Sequence, residues 1–212
     1  MASFLSFFQS GGVFMYFILF VLALGAAIII ERWLVIAGSR VNGPALWDEV
    51  GDHLRQGRVT EAAAACERGC TPLHQVLHAG VDALASAKDR EDIENAVEEK
   101  MMAIMPRLES RLHYLPTLAN VATLLGLLGT IMGLIEAFTS VAVADPSQKA
   151  ALLSKGISLA MNTTAFGLIV AIPLMLLYSA LHARTNSLID TLDQFAFKLI
   201  NLISSLDRRG TP

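Results

Sequence analysis

The sequence predicts an all-α integral membrane protein with three transmembrane helices and long helices that extend into the cytoplasm. Three observations carry this. Apolar residues make up 54% of the chain and the mean hydropathy is positive, both high for a soluble chain of 212 residues. Charge is segregated: 1–30, 112–135 and 156–183 contain no Asp, Glu, Lys or Arg, whereas 32–111 holds ten of the sixteen Lys and Arg. Each charge-free run is long enough to cross the hydrocarbon core as a helix, which takes about 20 apolar residues.

In chain order, residues 1–12 form a short, Phe-rich segment suited to an interface, broken by Gly11 and Gly12. Residues 13–33 read as the first transmembrane helix, closed by Glu31, Arg32 and Trp33 as interfacial anchors. The run lacks a basic n-region and a small-residue cleavage site, so it is expected to stay as an anchor. Residues 34–111 form a cytoplasmic helical region. Helices are expected over 44–56, 60–68 and 72–87, divided by Gly57 and by Gly69-Cys70-Thr71-Pro72, with Thr71 as an N-cap and Pro72 as the first helical residue.

A further helix starts near Asp89. Its apolar positions Ile93, Val97, Met101, Ile104, Leu108 and Leu112 recur every three or four residues, and nothing in the pattern stops it before Leu115. It is therefore expected to run into the second transmembrane helix, 112–138, with Pro106 and Pro116 bending it. Residues 139–155 form the periplasmic loop, 156–182 the third transmembrane helix and 183–212 a cytoplasmic C-terminal helix. In that tail Leu188, Leu192, Phe195, Leu199, Leu202 and Leu206 make a heptad-like seam that suits side-by-side packing of like helices.

Positive charge sets the direction. The 34–111 region and the tail are rich in Lys and Arg, against two in 139–155 and none before the first span, so the N-terminus is expected outside and the C-terminus inside. A net charge of -3 without a basic stripe excludes a nucleic-acid partner from the expectation. Cys66 and Cys70 are too few for a disulfide framework and are expected to be free thiols. With His74 and His78 they resemble a ladder of soft metal ligands, but Gly69 and Pro72 interrupt the helix between them, so no metal site is expected. Nothing in the spans reads as a catalytic or metal motif, and an enzyme is not expected.

The second span carries the features that ask for a function. Gly126, Gly129 and Gly133 allow close helix approach, and Asn120, Thr123 and Thr130 would be idle against lipid. The third span contains Met161-Asn162-Thr163-Thr164-Ala165-Phe166-Gly167, an unusually polar patch for a bilayer interior. A rise of roughly 1.5 Å per residue puts Thr130 and Thr164 at one depth, about 12 Å below the outer surface. The hydroxyls can serve a route for ions or can bond back to their own helices; three nearby glycines favour the route. Glu136, about 9 Å above Thr130 on the same helix, is either a functional carboxylate or a residue that snorkels at the water boundary.

These blocks resemble the MotA/TolQ/ExbB proton-channel family, in its three-span ExbB/TolQ branch. The resemblance rests on Gly11-Gly12-Val13 with Met15-Tyr16, on Ile30-Glu31-Arg32, and above all on 126–133, Gly-Leu-Leu-Gly-Thr-Ile-Met-Gly, and 164–173, Thr-Ala-Phe-Gly-Leu-Ile-Val-Ala-Ile-Pro. It implies a pentameric ring in the bacterial inner membrane around a dimer of an ExbD/TolR-like single-span partner whose intramembrane Asp carries the proton. Thr130 and Thr164 would line the path, with Thr163, Asn162, Glu136 and Thr123 beside it and Gly126, Gly129, Gly133 and Gly167 packing the helices. Protons would be the coupling ion, no cofactor is implied, and a TonB- or TolA-like protein would pass on the work. The chain departs from the family pattern at Thr123, where Pro is frequent, and at Leu159, where an acid is common. The competing expectations are a membrane scaffold without conduction and a motility-type motor of the same family.

Overall fold

The computed structural model describes residues 12–39, 41–86 and 89–210, and among these every regular element is helical. Seven helices follow in order: α1 (Phe14–Gly38), α2 (Gly43–Arg55), α3 (Val59–Glu67), α4 (Pro72–Ala85), α5 (Arg90–Glu109), α6 (Tyr114–Val143) and α7 (Lys149–Gly210). Apart from Gly12, the expected interfacial segment lies outside the described residues. Three helical stretches, in α1, α6 and α7, are long and apolar enough to cross a membrane.

The chain divides into two compact units, one built from 1–32 and 111–181 and the other from 33–110 and 182–212. The second unit has the core of a water-soluble bundle. Leu46, Val50 and Leu54 of α2, Leu73, Val76 and Leu77 of α4, Ile93, Val97 and Met101 of α5, and Leu192, Phe195 and Leu199 of α7 are buried together. Helix boundaries follow local chemistry. Asn42 caps α2 by accepting from the Ala45 amide at 3.4 Å, and Gly57 adopts φ +72°, a left-handed turn that glycine enters without steric cost. Thr71 is the N-cap of α4, although its hydroxyl pairs with His74 Nδ1 at 2.7 Å and makes no cap bond. The exposed pairs Arg55–Asp52, Arg68–Glu49 and Arg90–Glu94, each at 2.7 Å, add little in high dielectric.

In the first unit α1 contributes Met15 and Ile18, both fully buried, and Gly25, whose missing side chain leaves room for Leu174 of α7. Lipid-like faces remain open, with Phe17, Phe20, Leu124, Leu127, Ile169 and Leu176 exposed. Arg32 is 4% exposed and therefore does not behave as a free interfacial anchor. Its Nη2 donates to Glu31 Oε1 at 2.7 Å, and Arg111 Nη1 reaches the same oxygen at 2.7 Å.

Three expectations are corrected. The helix that begins near Asp89 does not run unbroken into the second span: α5 ends at Glu109 and α6 begins at Tyr114. Arg111, between them, has φ 63°, a left-handed conformation that costs an ordinary residue roughly 1–2 kcal/mol and that the pairing with Glu31 helps to hold. The stop is thus a backbone conformation on an arginine, invisible to a hydrophobic pattern. The expected loop over 139–155 shrinks to 144–148, because α6 runs to Val143 and α7 already includes Lys149 and Lys155. The tail seam is also not free for like helices. Leu192, Phe195 and Leu199 are buried in the core of their own chain, and Leu188, Leu202 and Leu206 pack against it.

Candidate functional site

The antiparallel pair α6 and α7 meets along a seam of small residues. Gly126, Gly129, Gly133 and Ala137 face Gly167, Thr163, Ala160 and Gly156 in turn. A Cβ on Gly167 would stand 2.7 Å from the Ala122 carbonyl oxygen and 3.1 Å from Gly126 Cα, and one on Gly126 would stand 3.2 Å from Thr164 Cα. Backbones therefore touch directly. In lipid, where apolar burial gives no net drive, such close packing is a main source of helix association. The four glycines expected to pack helices all sit on this seam.

The threonines of the seam fall into two kinds. Thr163 is 1% exposed, fills the notch over Gly129 and donates to the Leu159 carbonyl at 2.9 Å. It is a packing knob whose hydroxyl bonds within its own helix. Thr123 is exposed and likewise donates within its helix, to Ala119 O at 3.1 Å. Asn162 is half-buried beside Thr163 on α7.

Thr130 and Thr164 differ from these. Both are half-buried, their hydroxyl oxygens are in direct contact, and both reach one acceptor, the Gly126 carbonyl, at 3.1 Å from Thr130 and 2.9 Å from Thr164. Each hydroxyl has one proton and can also accept. Three contacts share two protons, so the group has more than one arrangement. Either both hydroxyls donate to Gly126, or one donates to the other and the second stays on the carbonyl. A hydroxyl that has left the carbonyl for its neighbour can accept from an acid brought alongside, and by re-aiming its one proton it can donate to an anion. The absence of a side chain on Gly126 is what lets Thr164 of the other helix reach a main-chain oxygen of α6.

Toward the 144–148 connection the two helices part around a pocket of about 310 Å³ lined by Gly133, Glu136, Ala137, Ser140, Leu152, Lys155, Gly156, Ser158 and Leu159. Glu136 and Leu159 thus share one pocket from opposite helices. Lys155, expected in a loop, stands in it on the first turns of α7. The sequence marked Glu136 by depth alone; Lys155, Ser140 and Ser158 were not singled out. Their one signal was helical spacing, 136 to 140 and 155 to 158 to 159, readable once both segments are known to be helix.

The soft-ligand ladder dissolves in the second unit. His74 pairs with Thr71, His78 lies 3.4 Å from Glu67, and Cys66 is buried while Cys70 is exposed. Burial, aided by Glu49 and Glu67, pushes the Cys66 thiol up to about 12, so it stays protonated. Burial also lowers the His74 imidazole from its usual value.

A chain whose described residues are all-helical, with three helices long and apolar enough to span a membrane and a glycine and threonine seam between two of them, is a membrane protein by class. Comparison with known proteins agrees. The family model described as "MotA/TolQ/ExbB proton channel family" matches residues 69–194, which include both hydroxyls and the whole seam, and the chain belongs to that family. It is 31% identical over 191 residues to an ExbB homolog of biopolymer transport from Methanothermobacter thermautotrophicus, covering 89% of this chain and 66% of the relative. It is 26% identical to the Tol-Pal system protein TolQ of Haemophilus influenzae, covering 76% and 75%, and 24% identical to the biopolymer transport protein ExbB of Pseudomonas putida, covering 77% and 52%. The chain therefore spans between about half and three quarters of these relatives' lengths.

Proposed function

We propose that this chain is the channel subunit of a proton-driven motor in a bacterial inner membrane, with the N-terminus periplasmic and the C-terminus cytoplasmic. Copies of it, five in the arrangement its family resemblance implies, form a ring around a dimer of an ExbD/TolR-like single-span protein. That protein's intramembrane Asp takes up and releases the proton, and its motion energises transport or envelope processes at the outer membrane through a TonB- or TolA-like protein. Membership of a proton channel family and similarity to ExbB and TolQ proteins support the class.

The observation that carries the reading is the Thr130–Thr164 pair on the Gly126 carbonyl. A carboxylate that loses its proton in a low-dielectric site is costly unless donors reach it. Two hydroxyls whose protons can be re-aimed supply donors to the anion and acceptors to the acid without adding a charge of their own. Thr163, Asn162 and Thr123 flank this pair, and Gly126, Gly129, Gly133 and Gly167 hold it in register. The scaffold alternative draws on the same seam, because Thr163 fills the notch over Gly129 and bonds within its own helix.

Reconstitution into liposomes tests the reading. Acid-driven proton entry is expected only when this chain and the single-span protein are present together, and it is expected to vanish when the partner's intramembrane Asp becomes Asn. A stable complex without proton entry would move the protein to the scaffold class.

A further inference from the structure

Glu136 stands apart among the charges of the first unit. It is the one carboxylate of α6, and α7 has none before Asp190. It is exposed, as are Lys155 and Ser158, and it lines the open pocket between the two helices, with the Lys155 ammonium and the Ser140 and Ser158 hydroxyls around the same space. Among the described residues neither Glu136 nor Lys155 forms an ion pair, so the pocket holds an anion and a cation that share a polar space without closing on each other. About 310 Å³ holds on the order of ten waters at roughly 30 Å³ each, enough to connect four polar side chains. Six residues separate Glu136 from Thr130, about 9 Å along the helix, or two to three hydrogen-bonded waters. A snorkelling carboxylate would extend along the lipid face toward water. This one lines an inter-helix pocket continuous with the seam, since Gly133 and Gly156 belong to both.

We infer that the Glu136–Lys155–Ser140–Ser158 pocket is a hydrated proton-collecting site in which Glu136 accepts a proton from the outer aqueous phase and releases it by water toward the Thr130–Thr164 pair. This rests on the channel reading above. The Lys155 ammonium shares the space that the proton enters and leaves, and the serines donate to the carboxylate or order the waters. Leu159 lines the same space from α7, so the site asks for a carboxylate in the pocket and not for one on a given helix.

The test moves the carboxylate across the pocket. Glu136→Gln and the exchange variant Glu136→Leu with Leu159→Glu are reconstituted with the single-span partner after size-exclusion shows the wild-type complex. Glu136→Gln is expected to lower proton entry about a hundredfold, within the range a positioned proton carrier contributes; the exchange variant is expected to regain most of it. Normal entry with Glu136→Gln overturns the inference, as does loss without recovery in the exchange variant. A second measurement stands apart from conduction. A membrane-permeant carbodiimide, which adds to a protonated carboxyl to leave an N-acylurea, is expected to mark Glu136 in the wild type and residue 159 in the exchange variant. If the wild type conducts nothing, the channel reading fails, and labelling still decides: a mark that follows the carboxylate sustains the protonatable pocket, and an unmarked Glu136 overturns it.

Discussion

One helix, α7, is used in two contrasting ways. Between Gly156 and Gly167 it presents Gly, Ala and Thr to α6, and backbone meets backbone. Between Leu192 and Ile203 it presents Leu, Phe and Ile to a core shared with α2, α4 and α5. The difference follows from solvent. In water, burying a large apolar side chain is worth about 1.5–3 kcal/mol, so big residues hold the second unit. In lipid that drive is absent, and close approach with main-chain contacts takes its place. The same economy that forbids large side chains at the seam exposes the Gly126 carbonyl to a hydroxyl from the other helix, so the packing solution and the candidate site are one arrangement.

Substitutions that exchange the two solutions sharpen the contrast. Gly167→Leu puts a branched side chain where even a Cβ meets the Ala122 carbonyl at 2.7 Å. Overpacking of this kind against backbone has no rotamer to escape into, and loss of the folded first unit is expected, read as protease sensitivity of the membrane-inserted chain. Leu199→Ala acts on the other solution. It deletes a fully buried side chain and is expected to cost about 2–5 kcal/mol in urea unfolding of the chain in micelles, without moving the seam.

A gentler contrast lies in the thiols. Cys66 is buried with its thiol raised to about 12, while Cys70 is exposed. At pH 8 only about one Cys66 in ten thousand is a thiolate, so maleimide is expected to label Cys70 alone until denaturant is added, as mass spectrometry would show. The sign for stability follows: the folded state resists the thiolate, so this group leaves stability unchanged below its ordinary value of 9.0 and weakens it as pH climbs from there toward 12. The smallest effect is expected at the break between α5 and α6. Arg111→Gly relieves the left-handed backbone and forfeits the exposed Glu31 contact, two small effects of opposite sign, so the unfolding midpoint should barely move.

Much of this was legible in the sequence, for reasons that can be named. Charge-free runs and glycines at 126, 129, 133 and 167 are chemistry written in residue type, and depth counting placed Thr130 opposite Thr164 because helical rise is constant. What was hidden depended on geometry. The break at Arg111 is a positive φ on a residue that rarely takes one. The tail seam of Leu192, Phe195 and Leu199 has the same spacing whether its partner is another copy or its own chain, and only the fold reveals the latter. The shared acceptor on Gly126 and the joining of Lys155 to Glu136 in one pocket depend on which helix faces meet. Spacing cannot supply that.

The proposed proton path through the Thr130–Thr164 hydroxyl pair is tested at Thr130. Proton entry into liposomes holding this chain and its single-span partner would be compared for wild type, Thr130→Val and Thr130→Ser at equal amounts of intact complex. Valine keeps the shape and removes the hydroxyl; serine keeps the hydroxyl. Valine is expected to abolish entry and serine to retain it. Wild-type entry in the valine variant would contradict the proposed path and return the pair to ordinary helix packing.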